Sequence, residues 1–392
     1  MKNNKGTKVL TLVRTLVSDR SWVGFVRKKK LSVKSGPGWA GLDPMTLWQG
    51  AAPTGSGLFI KKPNYSNSLN FKYLKNMIHS DAVRKYEEAL EAEDRRYDKE
   101  NTYDLLDTDM VYDFLSIPSC TYSEGMMADA IMAYCQGKGW ECHSDLTGNV
   151  YVTKGTVKPG ECYPCMCAHI DTVHHSQRKL VEAQQRLPLK TRVGGSGHYE
   201  VICCGPGGVG GDDKCGVIIA LSVLERADAM KAAFFMGEEI GCIGSRELDP
   251  DWFADTAYCI SFDAPGNNWI TETCTGVYIH TPEAMAKIES LLKDYGYTSL
   301  SHDPYTDVEQ VAQQALINCF NFGAGYYNYH SQYEYCDLHD MNRCVSLGLK
   351  LIDTLGRTRL PMTENDLSRG RANLWSLSVE DYERYLRGEL LK

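Results

Sequence analysis

Residues 210–216 read Gly-Gly-Asp-Asp-Lys-Cys-Gly and set two adjacent carboxylates, Asp212 and Asp213, directly before the apolar run Val217–Leu221. Neighbouring carboxylates repel unless cations neutralise them, and the flanking glycines permit unusual backbone angles. Four further fragments carry ligand-type side chains. His169 and Asp171 lie in CAHIDT, Glu238 and Glu239 in GEEIG, Asp263 in FDAPG and His330 in YHSQYEY. In chain order they spell His-x-Asp, Asp-Asp, Glu-Glu, Asp, His. Those are the ligand types of a two-metal hydrolase.

The chemistry gives each fragment a part. Residues i and i+2 of a strand face the same way, so His169 and Asp171 point out together, and Asp171 can hold the imidazole in one tautomer. One member of the Asp212–Asp213 pair can bridge two cations while its neighbour sets the turn. Glu238 and Glu239 diverge as adjacent side chains do: one supplies charge, the other shuttles the proton of a water. With an Asp bridge, His169 and Asp263 complete one site and Glu239 and His330 the other, each with three protein ligands and an open position. Mixed oxygen and imidazole ligands suit two Zn²⁺ best, with Mn²⁺ or Co²⁺ as alternatives. Taken singly, each fragment also has a plain structural reading, such as an acidic turn capping a helix.

The elements that must position these residues alternate. Short helices are expected over 110–117 and from Ser123, as N-cap, to about Gln136. Strands are expected at Val150–Thr153, Tyr163–Ala168, Ala232–Met236, Ala257–Phe262 and Leu316–Phe322. Helices fall between them: Gly216 to about Met230, a helix opened by Thr281-Pro282 and closed by Gly296, and Asp340 to about Leu355. Such alternation predicts an α/β three-layer sandwich, a twisted, mostly parallel sheet flanked by helices. Ligands gather beyond the carboxyl ends of its strands, where all five fragments fall.

Composition bounds the rest. The chain has 392 residues, a net charge of −8 and fifteen cysteines, and no apolar run of membrane-spanning length. Without a secretory signal, that cysteine usage points to free thiols in a reducing compartment, the cytoplasm. The acidic balance argues against nucleic acid as partner, except through residues 1–40, which carry ten Lys or Arg against Asp19 alone. That arm reads either as a solvated tail or as a docking arm for an acidic partner. Residues 1–105 form an N-terminal extension with a charged helix over Ser80–Tyr97, residues 106–360 the catalytic domain, and 361–392 a tail with a helix from Ser378. Cys165, Cys167, Cys203 and Cys204 are expected in buried strands, and His174 and His175 in an exposed loop. Tyr326, Tyr327, Tyr329, Tyr333 and Tyr335 either wall a pocket or pack the domain edge. GPGGVGG at 205–211 lacks the Lys-Ser/Thr ending of a phosphate loop.

The fragments resemble the co-catalytic zinc exopeptidases, the group of peptidase T-type tripeptidases, related deacylases and single-domain aminopeptidases. GGDDKCG is similar to that family's bridging-aspartate motif, and FLSIPSCTYSEG, DLTGNVYVTKG and AHIDTV precede it in the family's order, a likeness running over about 109–356. The resemblance implies His169, Asp212, Glu239, Asp263 and His330 as metal ligands, with Asp212 as the bridge. It further implies Glu238 as general base, Asp171 orienting His169, and a cis bond before Asp213. Peptidase T relatives insert a lid and dimerisation domain before the last histidine. Here only residues 264–329, 66 in all, separate Asp263 from His330, so that domain is absent. The expected function is a dinuclear metal-dependent exopeptidase of aminopeptidase or tripeptidase type acting on short peptides. An N-acyl-amino-acid deacylase on the same site, and a non-catalytic binding protein on the same fold, are the alternatives.

Overall fold

A computed structural model describes residues 104–302 and 305–369. The helix expected over Ser80–Tyr97, the rest of the extension through residue 103 and the tail helix from Ser378 lie outside the described residues. The first strands are β1 (Glu141–Ser144), β2 (Val150–Lys154), β3 (Tyr163–His169), β4 (Leu189–Val193), β5 (Tyr199–Cys203) and β6 (Met230–Phe235). There follow β7 (Thr256–Ala264), β8 (Trp269–Cys274), β9 (Val277–Tyr278), β10 (Ser299–His302), β11 (Cys319–Gly323), β12 (Tyr326–Tyr327) and β13 (Tyr335–Asp337). The main sheet runs β1-β2-β6-β3-β7-β11-β8-β10, with β9 paired to β8. Its centre, β6-β3-β7-β11, is parallel, and antiparallel pairs flank it. The α/β architecture read from the sequence is the one observed.

Two cores follow from the two-residue period of the central strands. Met166, Ala168, Phe234, Ile260 and Phe262 face one side and pack under the helices α1 (Thr108–Leu115), α2 (Gly125–Gly137), α3 (Gly211–Arg226), α4 (Pro282–Asp294) and, beyond α5 (Val308–Ala315), α6 (Leu338–Leu355). Cys165, Cys167, Phe235, Cys259 and Cys319 face the other side, against Val308 and Val311 of α5. The thiols of β3 are therefore core hydrophobes, as expected. Helix α3 is buried from Gly211 through Leu224, which explains why its run from Val217 to Leu221 is apolar on every side. Thr281 caps α4 by accepting the Ala284 N–H, with Pro282 at N1. Asp337 caps α6 in the same manner. Among the described residues no helix is long and apolar enough to cross a membrane.

Several expectations are corrected. Ser123 does not cap α2; Glu124 holds that position, without a side-chain bond. Met230 opens β6 rather than ending a helix, because α3 already stops at Arg226. Leu316 takes φ +50 at the end of α5, and β11 begins only at Cys319. Cys203 is only partly buried and Cys204 is exposed, since β5 belongs to a second, antiparallel sheet, β12-β13-β5-β4. Residues 264–329 contribute β8 to β12, α4 and α5; among the described residues they form no separate lid.

Candidate metal centre

The strand ends deliver the site. His169 is the last residue of β3, Asp263 the penultimate residue of β7, Glu238 and Glu239 follow β6, and His330 follows β12. Asp212 enters at the start of α3, where residues 212 and 213 leave helical geometry and their peptide bond is cis. His169 Nε2 lies 3.1 Å from Asp212 Oδ1 and 3.5 Å from Asp263 Oδ1. His330 Nε2 lies 3.2 Å from Asp212 Oδ2 and 3.0 Å from Glu239 Oε2. Two triads thus share Asp212, one oxygen each: His169–Asp212–Asp263 and Asp212–Glu239–His330, with donor atoms within 4.8 Å of one another.

Those spacings fit a metal. Two ligands about 2.0–2.1 Å from a tetrahedral ion stand about 3.3 Å apart, and the four distances bracket that value. The charge distribution points the same way. Burial works against a proton on His169, yet the carboxylates of Asp263, Asp171 and Asp212 outweigh it and lift its pKa well above the ordinary value. His330 is raised to about 10, chiefly by its bonds to Asp212 and Glu239. Burial pushes Glu238 and Asp213 well up and Asp263 to about 6, each reinforced by neighbouring carboxylates. Asp212 alone is held low, because the two imidazoles outweigh its burial. Negative charge is in excess there, and divalent cations would supply what protons otherwise must.

Asp171 is fully buried. Its backbone carbonyl stands 3.0 Å from His169 Nδ1 and its Oδ1 3.3 Å away, leaving Nε2 turned to the carboxylates. The same carboxylate accepts the Glu238 N–H at 2.9 Å and the Thr121 hydroxyl at 2.8 Å. It therefore ties the β3 loop to the Glu238 turn. Glu238 Oε2 sits 3.9 Å from His169 Nε2, whereas Glu239 turns to His330. Asp213 accepts the Gly216 N–H and its other oxygen is buried without a partner.

Residues not picked out by type and spacing complete the frame. Glu334, fully buried, accepts the N–H groups of Gly210 (2.6 Å) and Asp212 (3.2 Å) and meets His174 Nε2 at 2.8 Å. It stands in YHSQYEY, four residues after His330. His174 is accordingly buried, not in an exposed loop; His175 is exposed. A Cβ on Gly208 would fall within 2.4–2.6 Å of Ser331 O, Glu334 Oε2 and His174 Nε2, so only glycine fits there. Lys214, also fully buried, donates to the carbonyls of Leu115 and Val209, and burial lowers its pKa to about 8. Asp307 accepts the Ser245 hydroxyl behind the site, with its pKa raised by burial to about 7. The tyrosines divide: Tyr326 and Tyr329 line the cleft, while Tyr327 stacks on Tyr335 and donates to Asp340.

No protein-family model and no curated protein sequence matches the chain. Solved structures do resemble it. Aminopeptidase PepT from Bacillus cereus aligns over 65% of this chain and 99% of its own, at 13% identity and a TM-score of 0.50. An aminopeptidase from the archaeon Desulfurococcus kamchatkensis covers 64% and 94% (14% identity, TM-score 0.49). A tripeptidase from Staphylococcus aureus covers 62% and 96% (14% identity, TM-score 0.47). The fold of the described residues is that of the PepT aminopeptidase. At 13% identity the likeness to the Bacillus cereus structure shows the fold alone.

Proposed function

We propose that the chain is a dinuclear metal-dependent exopeptidase that hydrolyses the amide bonds of short peptides. One observation carries the reading: two ligand triads that share the two oxygens of Asp212. His169, Asp212 and Asp263 would hold one cation and Asp212, Glu239 and His330 the other, zinc by their donor chemistry. When bound, the cations supply Lewis acidity, polarising the scissile carbonyl and acidifying a water.

The chain's own residues do the remainder. Glu238 is buried beside His169, and burial raises its affinity for a proton, which suits it to take one from water and return it to the leaving amine. Asp171 holds both His169 and the backbone of Glu238, so ligand and base keep their relative positions. Tyr326 and Tyr329 line the cleft beside these groups. The same centre would serve a deacylase of N-acyl amino acids, which also presents an amide to be cleaved. The test is hydrolysis across free and N-blocked short peptides, by protein stripped with a chelator and then reloaded with zinc. Turnover lost on stripping and restored on reloading is expected. A metal-loaded protein inert toward every amide would mark a binding protein on this fold instead.

A further inference from the structure

The cleft over the two triads has a volume of about 740 Å³, within the range that accommodates a small ligand of roughly two or three residues. The acidic and basic side chains of its lining are few: Asp212, Glu238, Glu239, Asp263, His330 and Arg246. The first five are assigned above to cations and the base. Arg246 is left over. It is exposed at the end of the helical turn Ile243–Arg246, and among the described residues its guanidinium makes no ion pair. The side chain lies along the wall that carries the catalytic turn, for a Cβ on Gly241 would stand 3.8 Å from Arg246 Nη2. Trp269, Tyr305, Tyr326 and Tyr329 supply the apolar part of the lining.

Charge decides which end of a substrate this cleft reads. A free ammonium group needs an acceptor carboxylate, and every carboxylate on the lining is already engaged. A free carboxylate finds an unpaired guanidinium, whose planar donors match it. We infer that Arg246 is a specificity-determining residue that binds the α-carboxylate of the leaving residue. The substrates are then short peptides or N-acyl amino acids that end in a free carboxylate, with an apolar side chain against the aromatic wall. The inference rests on the exopeptidase reading of the site, and it answers which end of the substrate is recognised.

Binding separates it from that reading. The probe is zinc-loaded Glu238→Gln protein titrated calorimetrically with N-acetylphenylalanine and with N-acetylphenylalaninamide. A charge-assisted pair that is partly desolvated gives roughly a 10–100-fold preference for the free acid. Arg246→Ala added to that background should abolish the preference by weakening the acid alone, leaving amide binding and circular dichroism unchanged; Arg246→Lys should restore part of it. Equal binding of acid and amide before Arg246 is replaced would overturn the assignment. So would a preference that survives Arg246→Ala, since the cations would then be the carboxylate reader. If the wild type cleaves no amide at all, the peptidase reading fails, while the titration still decides the role of Arg246.

Discussion

Replacing Glu334 tests how the ligand loops are held. This carboxylate lies beneath the chain between Gly208 and Asp212 and accepts two backbone N–H groups, while its third contact is the ring of His174. In Glu334→Ala the Gly210 and Asp212 donors lose their acceptor in a fully buried position. Each buried donor left unsatisfied costs about 1–3 kcal/mol, so the pair costs about 2–6 kcal/mol. Against a total stability of about 5–15 kcal/mol, that is a large share. Glu334→Gln keeps one carbonyl oxygen, saves one of the two bonds and should lose about half as much. The assay is urea unfolding of metal-loaded and metal-stripped protein. Because the loop carries Asp212, the stabilisation gained on loading zinc should shrink in both variants, more in the alanine. An alanine variant within about 0.5 kcal/mol of wild type, a surface-like effect, with an undiminished gain from zinc, would refute this account of the loop.

Other consequences follow from single residues. Glu238→Gln should keep the fold and the bound metal but lower kcat by about 10²–10⁴, measured with the best peptide from the hydrolysis panel; near-full turnover would remove Glu238 from its role. His280 is buried and stacked on Phe320, and burial holds its pKa down to about 4. Between pH 6.5 and 4 the unfolded chain therefore binds the extra proton, so the contribution is complete above 6.5 and is lost as the pH falls toward 4. The loss is about 3 kcal/mol. His280→Phe should flatten the stability profile in that window, and equal acid slopes for the two proteins would contradict the burial argument.

The central sheet was legible because its strands are long apolar runs that end abruptly in charge. His169, Glu238 and Asp263 announce themselves in that way. The second sheet was hidden, since LKTRV in β4 alternates between half-buried and exposed and looks like a surface segment. Boundaries slipped where a local conformation overrode composition: Leu316 is as apolar as the strand after it, yet its positive φ assigns it to the end of α5. Glu334 and His174 could not be read from type or spacing. Their burial is created by a contact between segments 160 residues apart in the chain. Arg246 became visible only once the cleft had a shape.

Metal stoichiometry tests the account most directly. Protein reloaded with zinc and desalted should hold about two ions per chain by elemental analysis, His330→Ala about one, and Asp212→Ala should hold neither ion firmly, because both triads lose their common member. Two tightly held ions in Asp212→Ala, or a wild type that retains none, would contradict the shared-carboxylate centre.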